Sequence, residues 1–359
     1  MNKQVYTLTA LGFTPAFEQA FQPYAAEGYH VGRVALEHKR LYRVYTEQGE
    51  VLAEVAGKMR YNALGREDYP AVGDWVVISP RYEEQKATIH AILPRQSKFS
   101  RKAAGTHVEE QIVAANVDTV FLVNALNHDF NVRRIERYLI SAWESGANPV
   151  IILSKADLCD DVEAKIREVE SVAIGVPIHA ISTWEAQGID ALLPYLGEGK
   201  TVALLGSSGV GKSSMINHLK GEQILETQAV RENDSRGRHT TTYRELVTLP
   251  YGGLIIDTPG MRELQLWDAD EGFTEAFDDI ESIAASCRFG DCTHKGEPGC
   301  AIEAALEDGT LDQSRYHNYL KLQKELAFQE RKDNKLLQLA EKAKWKKIHQ
   351  ANKKRPTHR

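Results

Sequence analysis

Short apolar runs with polar punctuation fill the first third of the chain. His30–Leu36, Leu41–Tyr45, Val51–Lys58, Gly73–Ser79 and Ala87–Leu93 each read as a β-strand, bounded by Gly, Pro or Glu/Gln breaks and preceded by a short polar leader. Five such strands within about 65 residues predict a small barrel of OB type, although an SH3-like barrel has the same statistics. Tyr42-Arg43-Val44-Tyr45 alternates aromatic rings with a cation, a pattern that suits either a strand core or stacking on nucleic-acid bases. Arg95, Lys98, Arg101 and Lys102 follow as a basic segment before Ala-Ala-Gly and read as a solvated linker.

From Val117 the pattern changes to fully apolar runs alternating with helical periodicity. Val117–Asn124, Pro149–Leu153, Val176–Ile181 and Thr201–Leu205 read as buried strands, with helices over Asn131–Gly146, Val162–Glu170 and Lys212–Leu219 between or after them. Strands that are apolar on both faces belong to a mostly parallel sheet covered by helices. Tyr243–Leu249 and Leu254–Asp257, joined through Tyr251-Gly252-Gly253, predict a hairpin. Beyond Asp268 a short helix spans Ile302–Leu306, closed near Gly309, and a long helical stretch starts at Tyr316. In it Tyr319, Leu322 and Leu326 share one packing face.

Composition narrows the class. With 359 residues, 42% hydrophobic and 26% charged, the chain has the makeup of a multidomain globular protein, which argues against whole-chain disorder. The net charge of −6 hides a tail from Arg331 to Arg359 with eleven Lys and Arg against Asp333 and Glu341, suited to a polyanion. The longest apolar candidates, Thr119–Leu126 and Pro149–Leu153, are far shorter than the roughly 18–20 residues of a membrane helix, and the opening lacks a basic-then-apolar signal pattern. The expectation is a cytoplasmic chain with no membrane partner. Four cysteines are too few for a disulfide scaffold.

Gly206-Ser207-Ser208-Gly209-Val210-Gly211-Lys212-Ser213, followed by Ser214, matches G-x-x-x-x-G-K-[ST] between an apolar strand and a helix. The glycines let backbone N–H groups curl around phosphate oxygens at a helix N-terminus. Lys212 would neutralise β/γ-phosphate charge, and the Ser213 hydroxyl would ligate Mg²⁺. Asp257-Thr258-Pro259-Gly260 ends the next apolar strand, with Asp257 a candidate for holding Mg²⁺ through water and Gly260 for sensing the γ-phosphate. In Gly237-Arg238-His239-Thr240-Thr241-Thr242, a threonine, here Thr241, completes the Mg²⁺ shell, or the loop is simply solvated.

Ser154-Lys155-Ala156-Asp157, at the end of Pro149–Leu153, resembles the [NT]-K-x-D of GTP-binding proteins. Asp157 can accept from guanine N1–H and N2–H₂, Lys155 can lie along the ring, and Ser182-Thr183 can offer a backbone N–H to O6. Ser154 stands where Asn or Thr is usual, at the residue that would tie this loop to the phosphate loop. The base-reading motif precedes the phosphate loop, the reverse of the ordinary order, so the domain reads as circularly permuted. A permuted chain keeps its strand-end loops at one crevice.

Cys287-x₄-Cys292-x-His294-x₅-Cys300 supplies three thiolates and an imidazole, a closed tetrahedral set for one structural zinc. Cys159 stands apart as a packing residue. The fold class is therefore multidomain α/β: an OB-type barrel with leader and basic linker over 1–104, a circularly permuted P-loop GTPase domain over 105–270, and a zinc-binding helical module with basic tail over 271–359.

The barrel, the permuted motif order, G-R-H-T-T-T and C-x₄-C-x-H-x₅-C together resemble the RsgA family of ribosome small-subunit-dependent GTPases over roughly residues 30–300. The resemblance implies a monomeric cytoplasmic GTPase that binds the small ribosomal subunit and its rRNA late in maturation and leaves after hydrolysis to GDP. It also makes His239 the water-orienting candidate, because Met261 stands where Ras-like enzymes place a glutamine, and so completes a catalytic set with Lys212 on the phosphates and Thr241 on Mg²⁺. On the residues alone His239 is equally a solvated loop histidine. A metabolic nucleotide-dependent kinase and an RNA-binding scaffold with a non-hydrolysing site are the competing functions.

Overall fold

Alternating burial builds the N-terminal unit, most regularly in strand β3. The computed structural model describes residues 5–38, 40–102, 110–221, 244–250, 252–257 and 270–328. The segment read as a polar leader contains helix α1 (Pro15–Ala26), started by a proline in its first turn. Strands β1 (His30–His38), β2 (Leu41–Thr46) and β3 (Gly49–Val55), a short helix α2 (Gly57–Asn62), and strands β4 (Trp75–Arg81) and β5 (Lys86–Ile92) follow. The strands run β1-β2-β3-β5-β4, with β3 parallel to β5 and β4 pairing back onto β1. That order closes a five-stranded barrel of OB type. Tyr42 and Tyr45 are buried, so they fill the barrel and its junction and are not stacking faces. Arg43 between them is ion-paired to Glu245.

Phe13 and Phe17 seal the barrel end against the fully buried Trp75, with ring centroids 4.8 and 5.9 Å away. Those aromatics at helical spacing are the reason the leader folds. The basic segment is also structured. Strand β6 (Lys98–Lys102) pairs antiparallel with β7 (Glu110–Ala115). Lys98 faces Glu110 at 2.9 Å, and the Arg95 guanidinium grips both oxygens of buried Asp74 at 2.8 Å. These cations are largely committed within the protein, which corrects the reading of a solvated linker.

The α/β unit comprises β8 (Thr119–Ala125), α3 (Val132–Glu144), β9 (Asn148–Ser154), α4 (Val162–Glu170), β10 (Ile178–Ala180), β11 (Thr201–Leu205), α5 (Lys212–Lys220), β12 (Glu245–Thr248) and β13 (Leu254–Asp257). Strands β10-β9-β8-β11-β13 are parallel, and β12 adds antiparallel in the predicted hairpin. β8 and β11 are buried along their whole length, as their uninterrupted apolar sequence requires. Ile135 and Leu139 of α3 pack on one face of the sheet with Val120 and Leu122. Met215 and Ile216 of α5 pack on the other face with Phe121 and Val123.

The barrel continues this sheet, since β1 pairs β12 at Leu36 and Glu245. Buried Arg33 ties three segments together, donating to the carbonyls of Leu11, Gly73 and Asn116. Gly73, at φ 94°, lies where a Cβ would come 2.1 Å from the Ala115 oxygen, so only glycine allows this close seam.

Helices α6 (Asp270–Ala276), α7 (Asp278–Ala284), α8 (Ala301–Glu307) and α9 (residues 313–328) form the C-terminal module. Their core is Phe273, Phe277, Ile280, Ile302, Leu311, Tyr319 and Leu322, and it reaches Ile140 on α3. As the periodicity predicts, Tyr319 and Leu322 are buried and Leu326 packs beside them. Helix α3 is therefore sandwiched, with its second face carrying buried Glu136. That carboxylate accepts from Arg315 at 2.9 Å, Arg133 at 2.8 Å and Asn318 at 2.8 Å. Burial pushes the Glu136 carboxyl up, and the Arg133 and Arg315 guanidiniums beside it pull it down.

Candidate nucleotide site and metal centre

The phosphate loop, residues 206–211, joins β11 to α5 at the carboxyl edge of the parallel sheet. This edge is where open α/β sheets bind ligands. Gly211 caps α5 in the left-handed conformation, and buried Val210, Met215 and Ile216 anchor loop and helix from beneath. At Gly206 a Cβ would come 2.4 Å from the Val123 oxygen, so the loop starts flush against the end of β8. The Lys212 ammonium donates to the Gly206 and Ser207 carbonyls at 2.6 and 2.7 Å, which holds it across the loop where a phosphate needs a cation. Asp257 is buried at the end of β13, the parallel neighbour of β11. Burial pushes its carboxyl up while Lys212 pulls it down, so a cation brought to this carboxylate would be well matched.

Two strands away, the β9 end meets the same loop. The Ser154 hydroxyl donates to the Val210 carbonyl at 2.6 Å, so serine at this position still makes the tie between base-reading and phosphate loops. Lys155 sits in the left-handed region at φ 57°, turning the chain so that Asp157 follows in an exposed single turn. The Ser182 hydroxyl donates to Asp157 at 2.6 Å and orients the carboxylate. The Ser182 N–H donates to Gln187, which leaves Thr183 as the backbone donor of the predicted pair.

The four metal-ligand candidates also converge. Sγ of Cys287, Cys292 and Cys300 and a ring nitrogen of His294 lie within 4.8 Å of one another. His294 Nδ1 is 3.6 Å from the Cys287 sulfur and 3.4 Å from that of Cys300. These separations suit four ligands of a tetrahedral ion with metal–ligand bonds of about 2.0–2.3 Å. Burial pushes the Cys287 thiol up, but N–H donors from Ala301 and Ile302 outweigh it and favour the thiolate. The donor set and its spacing thus fit a closed structural metal site.

A small ribosomal subunit biogenesis GTPase RsgA of Opitutus terrae is 48% identical to this chain, across 97% of it and 98% of the relative. The chain belongs to the RsgA GTPase family. The family's sequence profile matches residues 92–267, and a second relative of the same description, RsgA 1 of Oceanobacillus iheyensis, is 49% identical over 90% of the chain and 93% of its own length. Among solved structures, YjeQ from Thermotoga maritima superposes with a TM-score of 0.63 at 31% identity, covering 83% of this chain and 99% of that one. YloQ, a circularly permuted GTPase, gives 0.61 at 25% identity, covering 84% and 96%. The permutation inferred from motif order is thus a property of the fold.

Of the site residues expected from sequence, Ser154, Lys155, Asp157, Ser182, Thr183, the 206–214 segment and Asp257 gather at one sheet edge. His239, Thr241, Gly260 and the basic tail lie outside the described residues. Sequence reasoning passed over Arg134, whose guanidinium touches Ser207. A signal existed: Arg133 and Arg134 occupy the first turn of α3, where the helix dipole disfavours cations, so each needs an anionic or polar partner. No helix among the described residues is long and apolar enough to cross a membrane.

Proposed function

We propose that this chain is a cytoplasmic GTPase that binds the small ribosomal subunit late in its maturation, hydrolyses GTP to GDP and phosphate faster when docked, and then departs. One observation carries the nucleotide reading. The Ser154–Val210 hydrogen bond fastens a guanine-type Asp157 loop to a lysine-bearing phosphate loop, across a sheet whose strands run in permuted order. Family membership carries the choice of partner.

In this reading the amides of 206–211 and Lys212 bind the β- and γ-phosphates, and Asp157 accepts from guanine, a donor pair that adenine does not offer. Ser213, Thr241 and Asp257 hold Mg²⁺, which when bound neutralises charge on the β- and γ-phosphates. Gly260 senses the γ-phosphate, and His239 orients the attacking water. Cys287, Cys292, His294 and Cys300 hold one structural zinc. The barrel and C-terminal module supply the rRNA-facing surfaces, the basic tail adds phosphate contacts, and the chain works as a monomer in units 1–104, 105–270 and 271–359.

The partner is tested by sedimenting the chain with purified small subunits, loaded with either a non-hydrolysable GTP analogue or GDP. Co-sedimentation that favours the analogue and weakens as salt rises is expected, because phosphate contacts compete with counterions. Absence from the subunit fraction in both nucleotide states at low salt would contradict the reading.

A further inference from the structure

The loop between β8 and α3 is tied down at several points. The buried Asn124 amide donates to the Asn131 carbonyl at 3.1 Å, Asn127 accepts from the Asp129 N–H at 3.0 Å, and Asn131 caps α3 by accepting from the Arg134 N–H at 3.1 Å. From this platform Arg134 turns back on Asp129. Its two terminal nitrogens meet the two carboxylate oxygens at 2.8 and 2.9 Å, and one of them also donates to the Asp129 carbonyl at 3.1 Å. The guanidinium is thus fixed in direction, and its remaining reach is spent on the Ser207 hydroxyl of the phosphate loop. Its charge is secured by the same carboxylate, since the Asp129 hydrogen bonds push the Arg134 pKa further up.

Three contacts from neighbouring elements hold the phosphate loop. Gly206 abuts the Val123 carbonyl, Ser154 holds Val210, and Arg134 holds Ser207. These contacts engage the Gly206 Cα, the Val210 carbonyl and the Ser207 hydroxyl, so none of them uses a backbone N–H of the loop. A loop held this way loses less conformational freedom when phosphate binds. Because Asp129 offsets the Arg134 charge, the effect of this arginine on phosphate is mainly geometric.

We propose that Arg134 is a positioning residue for the phosphate loop, acting through Ser207 to hold the loop ready for the phosphates of a guanine nucleotide. The inference rests on the nucleotide reading above, and it adds a residue that no phosphate-loop motif contains. Since GDP and GTP both need the formed loop, the contribution is uniform between ground state and transition state, and its loss raises KM with little change in kcat.

Equilibrium binding of a fluorescent GDP to the full chain, with turnover measured in the presence of subunits, tests this. Arg134→Ala should weaken GDP and GTP alike by about tenfold, a typical cost for losing a charge-assisted hydrogen bond, and should raise KM by a similar factor with kcat within about twofold of wild type. Ser207→Ala, a minimal change that spares the fold, should show the same pattern at smaller size. The double variant should be no weaker than Arg134→Ala alone, because both remove one interaction. Arg134→Lys should recover part of the affinity, since an ammonium cannot span Asp129 and Ser207 as a planar fork does. Unchanged nucleotide affinity in Arg134→Ala, or additive losses in the double variant, would overturn the proposal. Failure of the wild-type chain to bind guanine nucleotide would instead overturn the reading beneath it.

Discussion

Asp157→Asn is expected to lower GTP affinity by about 100-fold or more and to turn preference toward xanthosine triphosphate, on the scale of losing two hydrogen bonds to a charged acceptor. The carboxylate stands exposed at the end of a turn, oriented by the Ser182 hydroxyl, with lone pairs left over to accept from guanine N1–H and N2–H₂. An asparagine keeps the shape but presents an amide donor to one of those N–H groups, leaving it unpaired once the base is covered. Xanthine replaces the guanine amine with an oxygen, which that amide can satisfy. Competition of both triphosphates against a fluorescent GDP reads the switch, and equal GTP affinity in variant and wild type would remove Asp157 from the base site.

Loss of zinc should be felt most strongly in the C-terminal module. The four ligands lie on the segment between α7 and α8, and Cys300 also caps α8 by accepting from the Glu303 N–H. The apolar core of the module is small, and binding of structural zinc contributes roughly 10–16 kcal/mol of folding free energy in comparable peptides. That exceeds what a module of this size supplies from burial alone. Cys292→Ser, or chelation of the wild type, should therefore make residues 270–328 sensitive to limited proteolysis while GTP affinity stays within a few-fold of wild type. Elemental analysis should find one zinc per chain. A zinc-free protein with a protease-resistant module would contradict the assignment.

The phosphate loop, the Asp157 turn and the Cys₃His cluster were legible in the sequence because each is a local demand on the backbone or on ligand spacing, met by neighbouring residues. The barrel strands were legible because each is a short apolar run bounded by breaks, although only β3 alternates strictly between buried and exposed positions while β1 and β4 carry consecutive buried residues. What escaped depends on partners distant in the chain. Helix α1 looked polar until Phe13 and Phe17 met Trp75. Strand β6 looked like a basic linker until Lys98 and Arg101 found Glu110 and Gln111 across the hairpin. Glu136 takes its buried place only because Arg315 arrives from 179 residues away. Tyr42 and Tyr45 could have served a core or a base-stacking face, and their burial decides for the core. Ser154, the departure from the usual base-reading motif, turned out to preserve the bond to the phosphate loop.

The two helix faces of α3 give this arrangement a mechanical meaning. One turn of the helix touches the phosphate loop through Arg134, and the next residues hold the C-terminal module through Glu136–Arg315 and the bidentate Arg137–Glu325 pair at 2.6 and 2.8 Å. Where the sheet joins the barrel, β12, the strand that follows the His239 loop in sequence, is held by Arg43–Glu245 and by the Tyr45 hydroxyl on the Leu246 carbonyl at 3.2 Å. Both flanking modules therefore contact the domain next to elements that border the nucleotide site. Under the proposed reading, docking of those modules on the subunit has a short path to β12 and the phosphate loop.

That coupling is tested most directly by steady-state phosphate release from GTP with and without purified small subunits. With Met261 in place of a water-orienting glutamine, the free chain should turn over slowly, and subunits should raise the rate by roughly two orders of magnitude or more, within the range known for partner-organised GTPases. His239→Ala should retain GTP binding and subunit binding while losing most of that gain, since the missing interaction belongs to the transition state. Equal turnover in the presence and absence of subunits would contradict the account.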